Sequence, residues 1–138
     1  HYPKGLGPTT AAVVEAGGND TPRLGKIAFS CWRDDGIRKR VQGLADDGRK
    51  QIVVAGMETH VCVGQTVLDL RSAGHEVMLV AAHNDDLAAA AATGYRTAFV
   101  VRPQEYGPDQ KKDKAADRAW DIVTDSFNGV ADAMGCGR

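Results

Sequence analysis

Runs of consecutive apolar residues, each followed by a stretch of helical spacing closed by glycine, restrict this chain to few folds. Ile52-Val53-Val54-Ala55 lies within Gln51 to Met57, and Val77 to Ala82 is a second such run. Continuous apolar runs of this length are the pattern of strands covered on both faces, so both are expected in the interior of a sheet, the first of them centrally. Between them, Val63, Val67, Leu68 and Leu70 alternate with Gln65, Asp69 and Arg71 at helical spacing, and Gly74 ends the run.

The pattern then repeats. A helix is expected from Asp85 to Thr93 with Gly94 as its stop, a strand from Thr97 to Val101 with Pro103 as its stop, and a polar loop through Gly107-Pro108. A charged helix from Asp109 to Trp120, a short strand from Asp121 to Val123 and a helix from Phe127 to Met134 follow. Upstream, residues 1–25 read mostly as loop with a short helix at Ala11 to Ala16. Lys26 to Phe29 reads as a short strand, and Asp34-Asp35 opens a helix carrying Ile37, Val41 and Leu44 towards Gly48. Strand and helix in alternation imply right-handed crossovers and a mostly parallel sheet with helices on both faces. The expected architecture is therefore α/β, a Rossmann-like three-layer sandwich formed as one domain over residues 1–138.

In such a sheet ligands gather beyond the carboxyl ends of the strands, which places candidate sites at Met57 to Cys62, Ala82 to Asp86 and Arg102 to Tyr106. Cys62 opens a helix after a buried strand, where unpaired N–H groups and the helix dipole favour a thiolate and can hold an oxyanion. From spacing alone the favoured reading is a small buried hydrophobe, with Lys26 as a solvated surface charge. Lys26, at another element boundary, would favour the thiolate further if folding brings the two together. Asp85 and Asp86 read either as first-turn acids of a helix or as site residues. Arg102 and Glu105 read as structural, His60 and His75 as hydrogen-bonded or solvated, and Trp32 and Trp120 as packing.

Seventeen basic and 18 acidic residues leave a formal charge of −1, which gives no footing for nucleic acid or a membrane surface and points to a small-molecule partner. Three cysteines without CxxC or Cys/His spacing argue against a disulfide framework and a metal site, so a cytoplasmic setting with no metal or cofactor is expected. No apolar segment reads as a leader or a membrane span.

The wording of Gly56-Met57-Glu58-Thr59-His60-Val61-Cys62-Val63, with Gln65-Thr66 and Asp69-Leu70 after it, resembles the isochorismatase-like cysteine hydrolases. The resemblance extends over residues 1–76, including Tyr2-Pro3-Lys4-Gly5-Leu6-Gly7-Pro8-Thr9, Gly25-Lys26 with Phe29-Ser30, and Arg49-Lys50-Gln51. It implies Cys62 as nucleophile and Lys26 as its positive partner. It also implies a non-proline cis peptide between Met57 and Glu58 which, with Val61, shapes an oxyanion hole, and a pocket containing Phe29, Thr59 and His60. The family's catalytic aspartate belongs to a strand that would precede His1, so an inactive scaffold and a sheet edge open to homo-oligomer formation are also expected.

From about Val77 the wording changes. Val80-Ala81-Ala82-His83-Asn84-Asp85-Asp86-Leu87, Gly94-Tyr95-Arg96-Thr97-Ala98-Phe99-Val100, Arg102-Pro103, Glu105-Tyr106-Gly107 and Trp120-Asp121 are similar to the carboxyl-terminal part of type II haloacid dehalogenases. That resemblance implies His83 and Asp86 as substrate-side residues and a haloacid dehalogenase-like hydrolase as the alternative activity. The two resemblances meet near residues 77–80, in a strand both folds have, so the chain looks like a chimera.

Overall fold

β-Branched and long aliphatic side chains suit a pleated surface covered on both faces, and the strands form where these residues are densest. The computed structural model describes residues 2–56 and 59–136, His60 without its side chain. They fall into two compact units, residues 1–49 and residues 50–138.

The second unit is built on a four-stranded sheet of β1 (Gln51–Val54), β2 (Glu76–Ala81), β3 (Arg96–Val100) and β4 (Ile122–Thr124), ordered β1-β2-β3-β4 and parallel throughout. Helices α4 (Gly64–Ser72) and α5 (Asn84–Ala92) form the first two crossovers, and α6 (Phe127–Ala133) follows β4. Successive strand residues point to opposite faces. Met78, Val80, Ala98, Val100 and Ile122 accordingly form one buried cluster with Val130 of α6, and Met134 packs against it. Val77, Leu79, Thr97 and Phe99 point to the opposite face, where α4 and α5 bury Val67, Leu70, Leu87 and Ala90. The expected α/β architecture, a parallel sheet flanked by helices, is thus present.

β1 departs from the expected central position. Among the described residues it pairs only with β2, so it is an edge strand, and Val53 is 45% exposed. Its apolar run marks hydrophobic content, and only the partners present decide how much of it is covered.

No helix forms from Asp109 to Trp120. The segment runs through turns and bends because its polar groups are captured by one side chain. Asn84, 7% exposed, donates from Nδ2 to Asp113 Oδ1 and to the Ala115 carbonyl, both at 3.0 Å, and accepts on Oδ1 from Asp117 N–H and Trp120 Nε1–H, both at 3.0 Å. Asp113 also accepts from Asn84 N–H at 2.9 Å and adopts a positive φ of 54°, a conformation that interrupts a helix. At the far end of this segment Asp121 accepts from Thr97 N–H (2.8 Å) and Thr97 Oγ1–H (2.9 Å), tying β4 to the start of β3. The Thr97 N–H bond, opposed by partial burial, holds the Asp121 carboxyl below its ordinary range.

In the first unit, α1 (Pro3–Leu6) and α2 (Ala11–Gly17) are short, and α3 (Asp35–Asp46) carries a half-buried stripe of Ile37, Val41 and Leu44. Asp34 caps α3 by accepting from Gly36 N–H at 3.1 Å and Ile37 N–H at 3.2 Å. The strand expected at Lys26 to Phe29 is absent. Lys26 Nζ donates to the carbonyls of Ala28 (2.9 Å) and Phe29 (3.0 Å), which occupies the acceptors that strand pairing would use.

Candidate functional site

The loops that leave β1, β2 and β3 at their carboxyl ends converge as the α/β rule requires. After β1 the chain enters a π turn at Thr59–Val63 that runs directly into α4, so the helix begins three residues before the expected Cys62. Gly64 permits this. A Cβ at Gly64 would lie 2.6 Å from the Thr59 carbonyl oxygen, and the wider turn therefore needs a residue without one. In an ordinary helix interior Gly→Ala stabilises by about 1 kcal/mol. For Gly64→Ala the clash reverses the sign, and urea denaturation is expected to show a loss of about 1–2 kcal/mol.

Cys62 lies in this turn and is half-buried, while its neighbours Val63, Thr66 and Val67 are buried. Thr66 Oγ1–H donates to the Cys62 carbonyl at 2.6 Å, securing the backbone that carries the thiol. Val61 and Thr59 are half-buried in the same turn. Met57 and Glu58, expected to flank a cis peptide, lie outside the described residues, as does the His60 side chain.

The loop after β2 supplies His83 and Asp86. Asp86 is in the first turn of α5, yet its carboxylate turns to other groups. Oδ2 accepts from Thr59 Oγ1–H at 3.0 Å and lies 3.4 Å from His83 Nδ1. On the other side of the imidazole, His83 Nε2 is 2.8 Å from the Tyr106 hydroxyl, and the two rings stack with centroids 5.3 Å apart and planes 17° from parallel. Partial desolvation and the charges of Asp113, Glu105 and Asp86 raise the Tyr106 phenol above its ordinary pKa, so it keeps its proton at neutral pH. Thr59, Asp86, His83 and Tyr106 thus form one line of polar contacts across three loops, hydrogen-bonded at both ends and joined in the middle by the His83–Asp86 pair at 3.4 Å.

Tyr106 is the member that sequence reasoning did not nominate. Its signal was its place in a loop after a strand, which alone is common to many surface residues. Arg102 and Glu105, read as structural, pair with one another, with Arg102 Nε 3.1 Å from Glu105 Oε2. In the first unit Lys26 is half-buried and Phe29 is 62% exposed. A separate cleft of about 350 Å³ opens at the amino ends of the strands, between Gln51, Arg71, His75, Glu76 and Arg96, away from every nominated residue. Among the described residues no helix is long and apolar enough to cross a membrane.

Comparison with known proteins gives two kinds of match. The isochorismatase domain model matches residues 5–102, which runs past the expected joint at residues 77–80 and contains Lys26, Cys62, His83 and Asp86. Isochorismatase domain-containing protein 2 of Xenopus laevis is 38% identical over 80 residues, covering 58% of this chain and 36% of that protein. Isochorismatase family protein 1A of Dictyostelium discoideum is 33% identical over 81 residues, covering 57% of this chain and 38% of that protein. The chain therefore spans little more than a third of the length of these relatives. Among solved structures, a defluorinating L-2-haloacid dehalogenase is 45% identical over 48% of this chain and 28% of that chain, with a TM-score of 0.45. A second L-2-haloacid dehalogenase is 40% identical over 60% of this chain and 35% of that chain, with a TM-score of 0.47.

Proposed function

Because this chain belongs to the isochorismatase domain family, we propose that it is a hydrolase in which Cys62 attacks the carbonyl carbon of a small amide or related substrate. The observation that carries this reading is the half-buried thiol in the first turn of a helix, beyond the carboxyl end of β1 and inside the stretch that the family matches. Unpaired N–H groups of that turn favour the thiolate and stabilise the oxyanion formed on attack. In the same reading Lys26 is the ammonium that favours the thiolate. Met57, Glu58 and Val61 form the oxyanion hole, and Phe29, Thr59 and His60 border the substrate. The protein acts in the cytoplasm on a small molecule, as a homo-oligomer.

Alkylation tests the thiol directly. With iodoacetamide at neutral pH and peptide mass spectrometry, Cys62 is expected to be modified at least as fast as the exposed Cys136 and well ahead of the half-buried Cys31. A Cys62 that stays unmodified while Cys136 reacts would sink the reading.

The line of Thr59, Asp86, His83 and Tyr106 favours a second reading, a haloacid dehalogenase-like hydrolase that uses the His83 to Asp86 loop. Halide release from a 2-haloacid, lost on Asp86→Asn, separates it from the first.

A further inference from the structure

We propose that Tyr106, His83 and Asp86 form a proton relay, with the Tyr106 hydroxyl as the group that takes a proton from the hydrolytic water. The proposal deepens the cysteine-hydrolase reading and rests on it for the identity of the acyl group. The relay itself rests on geometry alone.

Tyr106 is 60% exposed, whereas the His83 and Asp86 side chains are each 32% exposed, so the phenol is the open end of the line and the carboxylate its inner end. Two arrangements of the imidazole proton are available to the neutral ring. With the proton on Nε2, the bare Nδ1 lone pair would face the Asp86 carboxylate at 3.4 Å, and two acceptors would oppose each other. With the proton on Nδ1, the N–H faces the Asp86 carboxylate across the 3.4 Å contact and Nε2 accepts the Tyr106 O–H at 2.8 Å. The raised phenol pKa agrees with a hydroxyl that donates. Stacking of the two rings keeps this arrangement in register, and Thr59 Oγ1–H holds the carboxylate from the other side.

The step balances as follows. Water oxygen bonds to the carbonyl carbon of the Cys62 thioester while a water proton passes to Tyr106 Oη and the phenol proton passes to His83 Nε2. The imidazolium so formed is stabilised by Asp86. The carbon–sulfur bond then breaks, the thiolate leaves, and the relay returns the proton to it through Tyr106. The products are a carboxylic acid and the free thiol. Tyr106 is the catalytic residue here, and His83 and Asp86 act through it. The relay supplies a proton acceptor from residues of the three loops that already converge at this end of the sheet.

Two measurements on the full chain test this. In the first, p-nitrophenyl acetate serves as the acyl probe. A burst of nitrophenolate lost on Cys62→Ala reports acylation, and the steady state reports deacylation by water. Tyr106→Phe is expected to keep the burst and to slow the steady state roughly 100-fold. His83→Gln is expected to do the same. An unchanged steady state in Tyr106→Phe overturns the relay. In the second, nitrogen-15 NMR of His83 is expected to show the Nδ1–H tautomer in the parent chain, and an Nε2 resonance that moves in Tyr106→Phe as the hydrogen bond it accepts is lost. A parent chain with the proton on Nε2, or an Nε2 resonance indifferent to Tyr106→Phe, likewise overturns it. A missing burst places the failure in the thiol reading, and the tautomer measurement alone then decides the relay.

Discussion

Replacing Asn84 with alanine is expected to lower stability by about 3 kcal/mol, because a single amide satisfies four separate groups of an otherwise irregular segment. Truncation leaves the Trp120 indole N–H, the Asp117 N–H and the Ala115 carbonyl without this partner. Each unsatisfied buried group costs about 1–3 kcal/mol, and water entering the loop offsets part of the sum. Asn84→Asp separates hydrogen bonding from size. The carboxylate can still accept from Asp117 N–H and Trp120 Nε1–H, but it can no longer donate to Asp113 Oδ1 and places a second carboxylate against it. Both variants are expected to unfold at lower urea than the parent chain, with Trp120 fluorescence as the local reporter. Equal midpoints for Asn84→Ala and the parent would show that the amide does not hold the segment. Asn84 stands between His83 and Asp86, so loosening it also loosens the line to Tyr106.

Phe99→Ala is expected to cost about 3–5 kcal/mol, the range for a large side chain removed from a core that cannot collapse around the gap. Phe99 is fully buried in β3, which has neighbours on both sides, facing the layer in which α5 buries Leu87 and Ala90. Parallel strands on either side keep the backbone from closing the void. Phe99→Leu conserves most of the volume and is expected to cost under about 1.5 kcal/mol. Thermal or urea denaturation of the two variants reads the difference. A loss of less than 1 kcal/mol for Phe99→Ala would mean that this layer is loosely packed.

The strands and helices of the second unit were legible because their signals are local. β2 and β3 fall within a residue or two of the apolar runs at Val77 to Ala82 and Thr97 to Val101, and α5 and α6 fall equally near their helical spacing. Periodicity reports which face a residue presents once a partner covers it. It does not report whether the partner is there, and this is why β1 reads as central while the described residues leave it at an edge. The segment 109–120 failed for a related reason. Its charged, alanine-rich composition favours a helix as a separate peptide, but the buried Asn84 amide offers its backbone and side chains bonds that a helix does not provide.

The candidate site divides in the same way. Cys62 was visible as a residue type at a strand-to-helix junction, and His83 and Asp86 through the wording around them. That Asp86 spans from Thr59 to His83 instead of capping α5, and that Tyr106 stacks on the imidazole, depend on three loops far apart in sequence meeting at one end of a sheet.

By itself the amino-acid sequence determined the alternation of elements, the parallel sheet that alternation demands, and the chemistry available at the strand ends, because burial periodicity and residue type are properties of short segments. Only the tertiary structure decided which strand lies at the edge, which charged segment stays out of a helix, and which side chains share protons. Those outcomes depend on hydrogen bonds between residues 20 to 40 positions apart, whose partners no local pattern specifies.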